Sequence, residues 1–101
     1  MGAREILQLH PLLADRVRLA IMAALASASE GIDFTTLLES LSLSRGNLSS
    51  HLRKLEQGDF ITVEKHFVDR VPRSTYRCTA KGSEEIKRYL HEMERALKSI
   101  G

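Results

Sequence analysis

Between Ser44 and Lys54, in the stretch LSRGNLSSHLRKL, guanidinium, amide, hydroxyl and ammonium groups recur with no carboxylate among them. Arg45, Asn47, Ser49, Ser50, Arg53 and Lys54 supply hydrogen-bond donors and positive charge, and Gly46 lies among them without a side chain. Arginine and asparagine pair bidentately with guanine and adenine edges, while lysine and arginine neutralise phosphates. A second basic group, Lys65, Arg70 and Arg73, follows in a segment of alternating residues. The chemistry these types suit is non-covalent recognition of a polyanion. Bond-breaking chemistry is absent from the pattern: there is no glycine-rich phosphate loop, no Gly-x-Ser-x-Gly and no carboxylate pair distinct from helix surface charge. No catalytic residue and no cofactor is expected.

The charge distribution points the same way. Net charge is only +2, but residues 1–43 carry 3 basic and 5 acidic side chains, residues 44–81 carry 8 and 4, and residues 82–101 carry 4 and 4. The middle third is therefore the segment that attracts a polyanion. A chain of 101 residues, 43% apolar and 28% charged, has the composition of one globular domain with a modest core. No apolar run approaches the roughly 18 residues of a membrane span, and MGAREILQLHPLL is too short and too charged for a secretory signal, so a cytoplasmic protein without membrane contact is expected. Cys78 is the only cysteine and has no Cys/His cluster around it. Burial beside Ile61 and Val63 is its expected role, and no metal site is expected. His91 and Glu94, one helical turn apart, supply at most half of one.

The elements that would position these groups follow from periodicity. Leu13, Val17, Ala20, Ile21, Ala24, Leu25 and Ala28 define a helix over about residues 12–28, with Asp15, Arg16 and Arg18 on its outer face. Ile6, Leu7 and Leu9 precede His10-Pro11 as a short separate apolar segment. Asp33 caps a short helix of Phe34, Leu37, Leu38 and Leu41. Ser44 caps the next, whose Leu48, Leu52 and Leu55 form its buried stripe and which closes at Gly58. From Phe60 the period becomes two, giving a β-hairpin with VDRVPR as its basic turn. Thr79 caps a last helix in which Ile86, Leu90, Met93, Leu97 and Ile100 recur at the 4, 3 spacing of a helix–helix seam.

On a helical wheel the leucine stripe leaves Gly46, Asn47, Ser50, Arg53, Lys54 and Gln57 on the opposite face, flanked by Arg45 and Ser49. A major groove about 12 Å wide admits such a helix. Taken in order, DFTTLLESL, SRGNLSSHLRKLEQGDFI and TVEKHFVDRVPRSTYRCTAKG, each side bounded by a helix, resemble the winged helix-turn-helix domains of the MarR/ArsR-like transcriptional regulators. The likeness is closest to a group with a GNLSxHLxxLE recognition helix and an RPRTxYxLTxxG-type wing strand. Gly58-Asp59-Phe60 departs from that group, which more often has a small residue, glycine and an aromatic; Cys78 stands where leucine is usual.

The resemblance implies a mainly α fold with a small β-hairpin, arranged as a single domain over residues 1–101. It comprises an N-terminal dimerisation arm (1–11), the helix-turn-helix (33–57), the wing (60–79) and a long C-terminal dimerisation helix (80–100). It also implies a homodimer on double-stranded DNA, acting as a repressor at a pseudopalindromic operator. Ser44, Arg45, Gly46, Asn47, Ser49, Ser50, Arg53 and Lys54 would form the recognition surface, and Lys65, Arg70 and Arg73 the wing contacts, with Arg70 and Arg73 at its tip. Ile6, Leu7, Leu9, Leu90, Met93, Leu97 and Ile100 would form the dimer interface. The competing readings are a winged-helix protein-interaction module and a ligand- or metal-responsive sensor on the same fold; no small-molecule effector is specified by the residues.

Overall fold

In the computed structural model, which describes residues 3–101, Asp15 divides the first expected helix in two. A one-turn helix α1 (Ala3–Ile6) and a 3-10 turn (Pro11–Ala14) precede α2 (Arg16–Ala26). Asp15 is extended, with φ −94° and ψ 128°, and its carboxylate accepts from the N–H groups of Val17 at 2.8 Å and Arg18 at 3.0 Å. Satisfying those orphan donors outweighs continuing the helix, so Asp15 is a cap and not an outer-face residue. The Arg18 N–H, foremost, holds its carboxyl below the ordinary value.

The other caps are those the sequence predicts. Asp33 accepts from the Thr36 N–H at 2.7 Å to start α3 (Phe34–Leu41), and Ser44 from Asn47 at 3.1 Å to start α4 (Arg45–Gln57). Thr79 accepts from Gly82 at 3.0 Å to start α5 (Ala80–Ile100). Between α3 and α4, Ser42 takes the left-handed conformation at φ 53°, which makes the turn tight.

The sheet has three antiparallel strands in the order β1-β3-β2: β1 (Ile32–Asp33), β2 (Ile61–Val68) and β3 (Val71–Cys78). β1 is too short to show periodicity, yet it pairs Ile32 with Tyr76 and Asp33 with Thr75, which ties the helix-turn-helix to the wing. The hairpin turn is shorter than expected. Strand pairing continues to Val68 opposite Val71, leaving only Asp69 and Arg70 in the turn, both with positive φ (50° and 68°). This is the two-residue type I′ arrangement whose twist matches the strands. Arg73 is consequently a strand residue opposite His66, and Arg70 alone of the two arginines occupies the tip.

Leu48, Leu52 and Leu55 turn one face of α4 into the core beside Ile21, Met22, Leu25, Leu37 and Ile61. Ile61 pairs with Cys78 and Val63 with Tyr76, so Cys78 shares the inward parity; it is half-buried, and burial pushes its thiol pKa up. At the end of α4 the chain forms a Schellman turn, with Phe60 N–H bonded to Leu55 O at 2.9 Å and Asp59 N–H to Glu56 O at 3.0 Å. Asp59, not Gly58, takes the left-handed position (φ 65°), whereas Gly58 has φ −83°. Glycine at 58 serves another purpose: a Cβ there would press on the Leu12 side chain, whose terminal methyl would have to move aside. Aspartate is among the few residues that visit the left-handed region, and its carbonyl accepts a bond from Thr79 Oγ1 at 2.6 Å.

α5 contributes Gly82 and Ile86 to the core and then runs on beyond it. Leu97 and Ile100 are 69% and 82% exposed, Leu7 and Leu90 are exposed as well, and Met93 is half-buried. Leu9 differs from its expected place in an intersubunit seam. It is only 8% exposed because the turn after α1, closed by Leu9 N–H to Ile6 O, folds it inward within its own chain.

Candidate nucleic-acid interface

The face of α4 opposite its leucines carries Arg45, Gly46, Asn47, Ser50, Arg53 and Lys54, all exposed. Ser49 is half-buried and turns toward the wing, and Ser44 commits its hydroxyl oxygen to the cap. The exposed start of α4 presents N–H groups and the positive end of the helix dipole, both suited to phosphate.

Two clefts join this face to the sheet. One, of about 270 Å³, lies between Ser49, Arg53 and Glu56 of α4 and Val63, Lys65 and Tyr76 of the wing. Arg53 and Lys65 are therefore brought together across it. Burial, and then the charge of Glu56, raises the Tyr76 phenol pKa, so the hydroxyl stays a neutral hydrogen-bonding group. The second, of about 320 Å³, lies between Asp33, Phe34 and Arg45 on one side and Val71, Pro72 and Arg73 on the other. Arg45 stacks over the Phe34 ring, with the guanidinium carbon 5.6 Å from its centroid, a cation–π contact that restrains a side chain otherwise free at the helix start. Arg70 stands apart at the wing tip.

Five contacts escape sequence inspection. Phe34 gives no sign in the sequence that Arg45 will rest on it. Arg18, assigned by the wheel to the outer face of α2, donates from Nε to Leu12 O at 2.8 Å and from a terminal nitrogen to His51 Nδ1 at 3.2 Å. His51 thereby anchors α4 to α2. His66 shares a 2.9 Å hydrogen bond with Thr75 Oγ1 and stays on the sheet. Glu94, half of the His91–Glu94 pair, is taken by Lys98 at 3.0 Å, which lowers its pKa.

Two substitutions separate function from folding here. A Cβ at Gly46 would meet no atom within 4 Å, so nothing in its own chain demands glycine. Gly46→Ala is expected to stabilise the fold by up to about 1 kcal/mol in urea denaturation and to weaken duplex binding, because the methyl stands on the groove-facing surface. Unchanged affinity would show that Gly46 is merely tolerated. Arg70 holds φ 68° in the turn position that favours glycine, a conformation costing roughly 1 kcal/mol. Arg70→Gly is expected to raise stability by about that amount and lower DNA affinity. A gain in stability with no change in binding would mean that the strain places no useful charge.

A polar helix face presented beside a two-stranded wing, on a helix-turn-helix held by paired caps, defines a winged-helix DNA-binding transcriptional regulator. The chain belongs to the family of winged helix DNA-binding domains, whose family model matches residues 17–97. It is 34% identical over 84 residues to an uncharacterized protein of Methanocaldococcus jannaschii, covering 83% of this chain and 90% of that one. The structure of a transcriptional regulator homologue from Pyrococcus horikoshii OT3 superposes with a TM-score of 0.87 at 32% identity, covering 98% of this chain and 96% of the other. MarR itself superposes with a TM-score of 0.72 at 26% identity, over 83% of this chain and 60% of MarR. Among the described residues no helix is long and apolar enough to cross a membrane.

Proposed function

We propose that the protein acts in the cytoplasm as a homodimer that binds a pseudopalindromic operator and represses by occupying it. The observation that carries this reading is the exposed, carboxylate-free surface from Ser44 to Lys54, flanked by two clefts in which Arg53 faces Lys65 and Arg45 faces Arg73. In this docking α4 enters the major groove with Arg45, Gly46, Asn47 and Ser50 toward base edges and Ser49 at its wing-side flank, while Arg53, Lys54, Lys65, Arg70 and Arg73 hold phosphates. The dimer is supported by the exposed Leu7, Leu90, Leu97 and Ile100, whose apolar area gains about 25 cal/mol per Å² when covered. Two-fold pairing through α5 would place two α4 helices about one helical turn of DNA apart.

Selection of bound duplexes from a random pool, with stoichiometry measured by light scattering, tests the whole reading. Two chains on an inverted repeat are expected; a single chain on an asymmetric site, or no salt-dependent binding to any duplex, would sink it.

A ligand-responsive form of the same regulator is a second reading. It is favoured by a cleft of about 350 Å³ between Ile6, Leu9, His10, Pro11 and Ala14 on one side and Tyr89 of α5 on the other, large enough for a small organic molecule. A compound that raises Tm and releases DNA would support it.

A further inference from the structure

The last two rungs of the wing are apolar on both faces. Phe67 lies opposite Pro72 and Val68 opposite Val71; Phe67 is 73% exposed, and the two valines nearly half exposed. The rungs below them pair Lys65 with Ser74 and His66 with Arg73, as a solvated ribbon requires. Apolar character is thus concentrated at the end of the sheet that no other described element covers. Exposed apolar strand ends invite unwanted pairing, and soluble chains usually blunt them with charge. Here charge surrounds the apolar rungs without replacing them: Lys65, Arg70 and Arg73 are all exposed. Of the two acids nearby, Asp33 faces Arg73 across a cleft, and Asp69 sits at the first turn position, where a φ of 50° favours aspartate, asparagine or glycine.

We propose that Phe67, at the apolar end of the wing, acts as a wedge that presses from the minor-groove side against a base step and partly unstacks it. Lys65, Arg70 and Arg73 hold the phosphates on either side. This rests on the duplex-binding reading above and adds to it a residue that senses how easily the DNA deforms. Charge complementarity selects DNA over a protein partner, since the three cations outnumber the two acids near the patch, Asp69 in the turn and Asp33 across the cleft from Arg73. Continuity selects it again: Val71, Pro72 and Arg73 share their cleft with Arg45, so the tip projects from the same side as the polar face of α4. Two strands about 4.8 Å apart make a ribbon whose end, though not its body, fits a groove about 6 Å wide. Pyrimidine–purine steps unstack most easily, so they are the steps expected beneath Phe67.

The test uses duplexes selected from a random pool by the wild-type chain. Affinity is measured across a potassium chloride series, and thymine unstacking by permanganate reactivity, for wild type, Phe67→Ala and Phe67→Leu. Phe67→Ala is expected to bind about tenfold more weakly with an unchanged slope of log affinity against log salt, because an apolar contact releases no counterions. The reactive thymine under the wing should disappear with it, and Phe67→Leu should retain part of both effects. An unchanged Tm shows that the exposed tip does not disturb the fold. Wild-type affinity and reactivity in Phe67→Ala would overturn the wedge, as would intact duplex binding accompanied by lost self-association, which would make the tip a protein contact. Failure of the wild-type chain to select any duplex would overturn the wedge by removing the reading beneath it.

Discussion

Phe60→Ala is expected to lower the free energy of unfolding by about 3–5 kcal/mol, read as a shift of the urea midpoint at unchanged m. The ring is fully buried, packs tilted against the His10 ring at a centroid distance of 4.7 Å, and carries the Lys81 ammonium 5.8 Å from its centre. Its backbone is engaged as fully as its side chain. The N–H closes the Schellman turn on Leu55, and the carbonyl accepts from Thr79 N–H at 3.0 Å. Gly82 lies so close that any Cβ there would collide with the Phe60 carbonyl, which leaves the surrounding elements little room to collapse into a cavity. The end of α4, the base of the wing, the start of α5 and the chain before α2 all meet at this residue. A loss below about 1 kcal/mol, well under the range for a buried ring, would show that these elements hold together without it.

The double change Arg53→Ala with Lys54→Ala is expected to leave the fold almost untouched and to weaken binding to every duplex alike. Both side chains are exposed, and neither takes part in a salt bridge among the described residues. Surface changes of this kind usually move stability by less than about 0.5 kcal/mol. Each phosphate contact removed lowers the salt slope by about 1. For the proposed dimer the double variant should therefore lose about 4 from the slope, and affinity near 0.1 M salt by a factor on the order of 10³. Sequence preference should be unaltered, because phosphate contacts position the protein without reading bases. Tight binding with an unchanged slope would show that α4 does not dock in the proposed way.

What could be read from the sequence was local. Asp33, Ser44 and Thr79 bond to N–H groups three residues on, so their roles are visible in a window of one helical turn. The leucine stripe of α4 and the alternation of β2 are visible for the same reason. What could not be read depended on residues distant in the chain. β1 is two residues long and exists only because β3 pairs with it. Asp15 has the composition of an outer-face residue until its capping bonds are seen. Asp59 and not Gly58 takes the left-handed position, and Leu12 sits against position 58, a contact no local pattern encodes. VDRVPR reads as one long turn that includes Arg73, whereas pairing of Val68 with Val71 shortens the turn to Asp69 and Arg70, with an arginine at a position that favours glycine. Leu9 reads as one member of an exposed apolar run, and only the turn after α1 separates it from Leu7. The apolar wing tip is different in kind: FVDRVP shows four apolar residues in plain view, and the strand register is what gathers them on the last two rungs.

The unbroken register of β2 with β3 limits how this wing can change over evolutionary time. Pairing runs without a bulge from Ile61 opposite Cys78 to Val68 opposite Val71. One residue added to each strand would send Lys65 and Phe67 to the wrong side of the ribbon, since strand faces alternate. Length can therefore be gained only two residues per strand at a time, about 7 Å per step. Descendants of this chain can lengthen their reach in whole increments, or keep it and vary the side chains at the end.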